Sequence, residues 1–339
     1  MSLAVFYKLL AIFLTVGLGY VAGRMRWLDS GAEARDPARV LGNAAFSIFV
    51  PALLFRTTAR LDFAALPWRL VAAYFVPAVL FVLVVYGWLR WRRARASAPG
   101  PVAQPAARAV TASFGNSVQL GIPLAAALFG EPGLAVHIAL VSLHALILLT
   151  LPTVLVELDL ARAQAQAQAG ERDIVATLRS TVRNTVLHPV VLPVLAGMLW
   201  NVTGLGLHPV VDETLQVLGS AVVPVCLVLL GLSLAYYGVQ TSWRGVAVLG
   251  VLKLGVLPAL VLVTAHWGFG LDGVPLAVLV LMAALPTGSN ALIFAQRYGT
   301  GQAEATAASV VGTVAFMATA SLWLGVLAVL PALPGLRGP

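Results

Sequence analysis

Two short polar segments interrupt long apolar stretches of this sequence, one in each half of the chain. They consist of Gly115, Asn116, Ser117, Gln119 and Pro123 in the first half, and of Pro286, Thr287, Gly288, Ser289 and Asn290 in the second. Proline lacks a backbone N–H and glycine favours non-helical backbone, so a helix is expected to break at both segments. Pro123 suits the first turn of a new half-helix, and Ser289 or Asn290 can cap the half-helix after the second interruption.

Broken helices of this kind offer the groups that bind an anion. The N-terminus of a half-helix carries free N–H groups and a partial positive charge. The amides of Asn116 and Asn290 add hydrogen-bond donors and acceptors without a fixed charge. We therefore predict a carboxylate site in which both asparagines hydrogen-bond the opposite broken backbone and the ligand. The structural alternative is a pair of proline kinks whose asparagines only satisfy loose backbone groups.

The elements that must position these segments are membrane helices. The chain has 339 residues, of which 60% are hydrophobic and 10% charged, and its mean hydropathy is +0.93. Soluble domains carry about 25% charged residues, so the composition indicates an all-α polytopic membrane protein. Ten apolar spans are predicted, at 4–23, 38–56, 68–90, 107–129, 133–157, 184–204, 211–237, 244–267, 273–298 and 303–330.

The net charge of +8 reflects membrane topology, because the basic residues are unevenly distributed. Fifteen of the 21 lysine and arginine residues follow odd-numbered spans. The positive-inside rule places these loops in the cytoplasm and both termini outside, in a bacterial inner membrane. This distribution argues against a nucleic-acid partner and indicates the lipid bilayer instead.

A polar stretch divides the chain into two sets of five spans. We assign residues 1–157 to a first repeat, 158–183 to a cytoplasmic linker and 184–339 to a second repeat. "VLGNA" at 40–44 matches "VLGSA" at 217–221 with an offset of 177, and Asn116 and Asn290 differ by 174. Because five is odd, two such repeats have opposite orientations. Paired interruptions in inverted repeats are typical of transporters whose discontinuous helices cross near the midplane.

Four stretches resemble the auxin efflux carrier family in its short bacterial form. They are "SFGNSVQLGIPLAAALFG", "PVCLVLLGLSLA", "LKLGVLPAL" and "LPTGSNALIFAQRYG". The resemblance implies the fold of plant PIN auxin carriers and bile-acid sodium symporters, with a scaffold of spans 1, 2, 6 and 7. Spans 3–5 and 8–10 would then form a transport domain that moves like an elevator. It also implies an organic anion substrate such as malonate, malate or an auxin-like monocarboxylate.

Polar residues inside other spans are further candidates. Lys253 is a cation deep in span 8, where charges are functional by default, and its alternative role is a structural ion pair or a hydrogen bond between helices. His137 and His144 lie seven residues apart on one face of span 5, and only histidine titrates near neutrality unaided. Asn43, Ser47 and Pro51 in span 2 are expected to face the substrate from the scaffold, or to hydrogen-bond a neighbouring helix. Lys253, His137 and His144 are thus candidates for coupling or support, and Asn43, Ser47 and Pro51 for the scaffold side of the site.

Other kinds of function receive less support from the sequence. The motif "GLSLA" at 231–235 is similar to that of an intramembrane serine hydrolase, but it is short and lacks its final glycine. No metal-ligand or phosphate-loop motif is present, so neither an enzyme nor a cofactor is expected. A membrane-embedded anion sensor or channel is the main alternative. Coupling to H⁺ or Na⁺ and assembly as a homodimer are left open.

Overall fold

The protein is helical throughout the part of the chain that the structure describes. This computed structural model describes residues 3–28, 37–61, 66–97, 100–167, 189–237 and 242–329, together with Arg183 and Leu187. Within those residues the only extended pairing is one isolated bridge between Gly115 and Thr287. Most of the predicted linker, from residue 168 to 182, lies outside the described residues, and its first ten residues continue a helix.

Fourteen α-helices make up the described part of the chain. In the first half they are α1 (Leu3–Arg24), α2 (Pro37–Ala44), α3 (Val50–Ala59), α4 (Trp68–Ala94), α5 (Gln104–Ser113) and α6 (Ile122–Ala167). In the second half they are α7 (Val191–Val202), α8 (Pro209–Ser220), α9 (Val222–Tyr237), α10 (Trp243–Val251), α11 (Leu257–Val263), α12 (Gly273–Ala284), α13 (Asn290–Arg297) and α14 (Gln302–Val329).

Six helical stretches among the described residues are long and apolar enough to cross a membrane. They are Pro37–Ala59, Trp68–Ala94, Leu124–Gln164, Pro209–Tyr236, Trp243–Gly268 and Gln302–Val329. The third of them includes a kink at Gly130, whose φ of 61° is unfavourable for other residues, so a short half-helix precedes a long helix. The helices lie in the regions of the predicted spans, whereas ten crossings arranged as an inverted repeat stay a prediction.

Glycines allow α1 and α9 to pack with their backbones in contact. A Cβ atom at Gly231 would lie 2.0 Å from the Val16 carbonyl oxygen, and one at Gly19 would lie 2.2 Å from the Val228 carbonyl oxygen. Lipid supplies no hydrophobic force between helices, so close backbone packing of this kind holds membrane helices together. This pair joins predicted spans 1 and 7, both assigned to the scaffold.

Four π-helical turns widen the helices. They are Ala45–Phe49, Ser117–Gly121, Leu252–Val256 and Thr264–Gly268. A π-turn adds a residue to the helical turn and changes which face the following side chains occupy, and such turns are frequent at functional sites. Three of the four contain candidate residues: Ser47 in the first, Ser117 and Gln119 in the second, and Lys253 in the third.

An ion pair joins the middle of α5 to the first turn of α14. The Arg108 guanidinium donates to both carboxylate oxygens of Glu304, with Nε 2.7 Å from Oε2 and Nη2 2.5 Å from Oε1. A Cβ atom at Gly245 would lie 2.2 Å from Glu304 Oε1, so α10 also packs closely here. The half-helix that leads into the first interruption is therefore anchored near its middle.

Candidate functional site

Both predicted interruptions are present, and their backbones pair with each other. The first break, residues 114–121, follows the end of α5 at Ser113, and the second break, residues 285–289, separates α12 from α13. The Asn116 N–H donates to the Pro286 carbonyl at 2.8 Å, and the Gly288 N–H donates to the Phe114 carbonyl at 2.9 Å. An unsatisfied backbone group is costly in hydrocarbon. Each break therefore satisfies groups that the other has freed.

The contact between the breaks needs small residues and one hydroxyl. A Cβ atom at Gly288 would lie 2.9 Å from the Gly115 carbonyl oxygen, which is closer than real Cβ atoms approach. The Thr287 hydroxyl donates to the Thr111 carbonyl in the last turn of α5, at 2.8 Å. These contacts explain why glycine and threonine occupy the interrupted segments.

Lys253 lies beside both breaks. Its side chain is buried, and Nζ donates to the Ala283 carbonyl at 2.5 Å, in the last turn of α12. The last carbonyls of a helix have no partner within it, so the ammonium satisfies one that the second break has freed. A Cβ atom at Gly115 would be 3.4 Å from Nζ, which places the cation next to the first break as well.

The Lys253→Met variant is expected to fold but to transport at least about tenfold more slowly, because it loses a charge-assisted hydrogen bond at the break. Methionine keeps most of the stem and removes the charge. The rate of uptake into proteoliposomes at several pH values is the measurement, and Leu252→Met is the matched control. If Lys253→Met transports at the wild-type rate at every pH, the charge of Lys253 has no role in the mechanism.

The two histidines of α6 have different surroundings. His137 is buried, and its Nε2–H donates to the Ser117 carbonyl at 2.8 Å. A Cβ atom at Gly121 would lie 2.5 Å from that nitrogen, so the glycine makes room for the ring. His137 therefore supports the first break. The ring of His144 instead packs edge-on against Phe114, with centroids 4.5 Å apart.

A cavity of about 140 Å³, the crossing cavity, lies beside the paired breaks. Its polar lining consists of Thr57, Thr58, Asn116, Ser117, Ser142, His144, Ser289 and Asn290. Its apolar lining includes Leu53 and Leu54 of α3 and Val222 and Val223 of α9. None of the residues that line it carries a fixed charge. The cavity thus has one wall from the breaks and α6 and another from helices of the predicted scaffold.

Polar atoms without partners surround this cavity. Asn116 Oδ1 and both ring nitrogens of His144 are buried and have no hydrogen-bond partner among the described residues. The Tyr74 hydroxyl is also buried and has no hydrogen-bond partner among the described residues, and the Tyr74 ring centroid lies 6.2 Å from that of His144. Buried polar groups are nearly always hydrogen-bonded, so this cluster indicates a place for a ligand or for water.

The predicted asparagines both line the crossing cavity, but not with the contacts expected. The hydrogen bonds across the breaks come from the Asn116 backbone, whereas no bond from either asparagine side chain to the opposite break is present among the described contacts. Asn290 Oδ1 lies 3.9 Å from Cys226 Sγ, which donates to it. The prediction that the side chains bridge the two breaks is therefore wrong, because backbone groups reach each other directly. The amides are left for another partner.

The remaining candidates near the breaks lie where the sequence predicts, with one correction. Ser289 occupies the N-cap position of α13, but no side-chain capping bond forms, since its backbone is already helical there. Gln119 lies in the π-turn of the first break and Pro123 in the first turn of α6; nothing of their side chains is described.

Asn43, Ser47 and Pro51 do not line the crossing cavity. Asn43 and Ser47 are exposed on the outside of the helix pair α2 and α3, and Pro51 is half-buried. The residues of this helical stretch that line the cavity are Leu53, Leu54, Thr57 and Thr58, which all come after the π-turn Ala45–Phe49. Thr57 and Thr58 were not among the predicted residues, although two adjacent hydroxyl residues directly after the second predicted span were an available signal.

Ser233 makes no contact suited to hydrolysis. Its hydroxyl is buried and accepts a hydrogen bond from Gln296 Nε2 at 3.0 Å, between α9 and α13. A serine nucleophile needs a base within hydrogen-bond reach, and a glutamine amide is not one. The bond joins the predicted scaffold to the half-helix after the second break.

Comparison with known proteins agrees with the resemblance given by the motifs. The model of a family described as "Membrane transport protein" matches residues 4–324, nearly the whole chain. No curated protein matches the chain. With its broken helices, its apolar spans and this match, the chain belongs to the auxin efflux carrier family of membrane transport proteins.

Proposed function

We propose that this protein is a secondary-active transporter of a small organic anion, and that the anion binds in the crossing cavity. The observation that carries the proposal is the pairing of the two breaks beside a cavity lined by Asn116 and Asn290. Irregular backbone at membrane depth is tolerated where it is buried in protein or lines a cavity. In transporters such segments form the substrate site.

The electrostatics of the cavity favour a negative ligand. The N-terminal ends of α13 and of the half-helix that starts at Ile122 both lie at the breaks, and helix N-termini attract anions. The Lys253 ammonium adds a positive charge behind the breaks. Neutral amide and hydroxyl groups then hydrogen-bond the ligand without a second fixed charge.

The size of the cavity narrows the substrate class. An engineered cavity of about 150 Å³ holds a benzene molecule, which has six heavy atoms. The crossing cavity, at about 140 Å³, is therefore closer to the size of malonate, which has about seven heavy atoms, than to that of malate or of an indole-containing auxin. The apolar wall from α3 and α9 suits the carbon chain of such an acid.

We further propose an elevator movement, which the composition of the two walls supports. Spans 1, 2, 6 and 7 supply the scaffold, and spans 3–5 and 8–10 supply a transport domain that carries the breaks. We propose that the two domains are built from inverted repeats, with both termini on the outer side of a bacterial inner membrane. Substrate bound between them is exposed to one side at a time as the breaks slide past α3 and α9.

Proton coupling through His144 fits the geometry better than coupling through His137, whose Nε2 is occupied by Ser117. The titratable or charged groups that face His144 are Tyr74 of α4, Lys253 and His137. We expect His144→Gln to keep substrate counterflow, which needs no net proton movement, and to lose accumulation driven by a pH gradient. His208→Gln, an exposed histidine at the start of α8, is the control. Accumulation that persists in His144→Gln would place the coupling elsewhere, with Na⁺ as the next ion to test.

The function is tested with purified protein in two steps. Thermal-shift measurements with a panel of two- to six-carbon carboxylates identify a ligand, because a ligand of the folded state raises its stability. Proteoliposomes then measure flux of the labelled ligand. Saturable uptake with counterflow supports a carrier. Flux without saturation would indicate a channel, and binding without flux would indicate a sensor.

A further inference from the structure

A second cavity of about 370 Å³, the arginine cavity, lies between the end of α4 and the start of α5. It is lined by Leu89, Arg92, Arg93, Ala96, Gly100, Gln104, Pro105 and Arg108. Its last lining residue, Arg108, lies six residues before the first break, but the cavity shares no lining residue with the crossing cavity. The proposed transport function does not use it.

The arginine cavity carries positive charge that none of the described residues fully neutralises. Arg108 is paired with Glu304, but Arg92 has neither an ion pair nor a hydrogen bond among the described residues. Of the Arg93 guanidinium nitrogens, only Nε forms a hydrogen bond among the described residues, to the Gly100 carbonyl at 2.7 Å. None of the described lining residues is acidic. Two guanidinium groups are thus available to an anion, and guanidinium binds phosphate with two parallel hydrogen bonds.

An exposed apolar stripe on α4 ends at this cavity. Leu80, Val84, Trp88 and Trp91 are exposed and lie on one face of the helix, three or four residues apart. The Arg92 guanidinium stacks over the Trp88 ring at 5.0 Å, and that of Arg95 stacks over Trp91 at 4.2 Å. Tryptophan is enriched where a membrane helix meets the headgroup region. Arg92 therefore joins an apolar surface to a cationic cavity.

We propose that the arginine cavity binds the phosphate headgroup of an anionic phospholipid, whose acyl chains lie along the apolar stripe. The ligand must be anionic at one end to match Arg92 and Arg93, and apolar at the other to cover Leu80, Val84 and Trp88. Free phosphate shares the headgroup chemistry but leaves the stripe uncovered. Basic pockets between membrane helices bind anionic headgroups in this way.

Native mass spectrometry of the full-length protein in a neutral detergent tests the proposal. The wild type is titrated with phosphatidylglycerol, with phosphatidylcholine and, as a competitor, with inorganic phosphate. One phosphatidylglycerol per chain is expected to bind, while phosphatidylcholine binds more weakly and phosphate does not displace the lipid at equal concentration. The Arg92→Gln/Arg93→Gln variant is expected to bind phosphatidylglycerol about 25-fold more weakly, about fivefold for each arginine removed.

Arg95→Gln is the matched control, because Arg95 lies at the same helix end and stacks on a tryptophan but does not line the cavity. It is expected to bind phosphatidylglycerol with nearly the wild-type affinity. Arg93→Lys keeps the charge and loses the guanidinium fork, so an intermediate affinity is expected if the double variant is folded. Equal loss in Arg95→Gln, equal binding of phosphatidylcholine, or displacement by equimolar phosphate would each overturn the assignment.

Discussion

The Asn116→Asp and Asn290→Asp variants will fold and insert normally, and will lose binding of the substrate anion. Asparagine and aspartate are nearly isosteric, so the packing of the breaks is kept. Removal of the amide donor alone weakens binding by about 1–3 kcal/mol, or about tenfold to hundredfold. An ionised carboxylate about 4 Å from the substrate adds a repulsion of about 4 kcal/mol at the effective dielectric constant of a protein site. No positive side chain lines the cavity to offset it.

Equilibrium binding of the carboxylate found by thermal shift measures this effect at neutral pH. Asn43→Asp is the matched control, since Asn43 is an exposed asparagine that does not line the cavity. It is expected to bind as the wild type does. If both variants at the breaks bind with wild-type affinity, the substrate site lies elsewhere in the protein. If Asn43→Asp also loses binding, the effect is one of total charge.

A disulfide between Cys226 and a cysteine at position 289 will stop transport. The Cys226 thiol on α9 contacts the Ser289 side chain and Asn290 at the second break, so it joins the predicted scaffold to the predicted transport domain. An elevator cycle must separate these groups. Oxidation of Ser289→Cys with a membrane-permeable catalyst is therefore expected to reduce uptake to the rate of empty liposomes, and a reductant should restore it.

Cys226 is the only cysteine of the chain, which provides a clean control. Ser289→Cys combined with Cys226→Ala cannot form the bond, so oxidation should leave its transport unchanged. Full transport by a protein shown to be cross-linked would mean that the second break does not move relative to α9. A fixed-site channel would then describe the data better than an elevator.

The breaks themselves could be predicted from the sequence because their cause is local. Proline and glycine in an apolar span disrupt a helix whatever surrounds it, and Lys253 stands out because a deep cation in a span is rare. The sequence predicts that the two breaks pair, but it does not predict which groups form the hydrogen bonds. Asn116 N–H and Gly288 N–H meet carbonyls of the opposite break directly, and this depends on backbone geometry that residue types do not specify.

Predictions failed where the helix period changes or where partners are distant in sequence. After the π-turn Ala45–Phe49, the cavity-lining hydroxyl residues are Thr57 and Thr58, just beyond the predicted second span, whereas Asn43 and Ser47 are exposed. His137 and His144 were indistinguishable on a helical face, yet one bonds the first break and the other has unbonded nitrogens beside the cavity. The regular 3.6-residue period of an α-helix predicts neither the cavity-lining positions of the second span nor the different surroundings of the two histidines.

An experimental structure with the identified carboxylate bound would locate the substrate site. We expect ligand density in the crossing cavity, with the carboxylate within hydrogen-bond distance of the side-chain amides of Asn116 and Asn290. Density for the carboxylate at any other place, with the crossing cavity empty or filled by protein, would contradict this expectation.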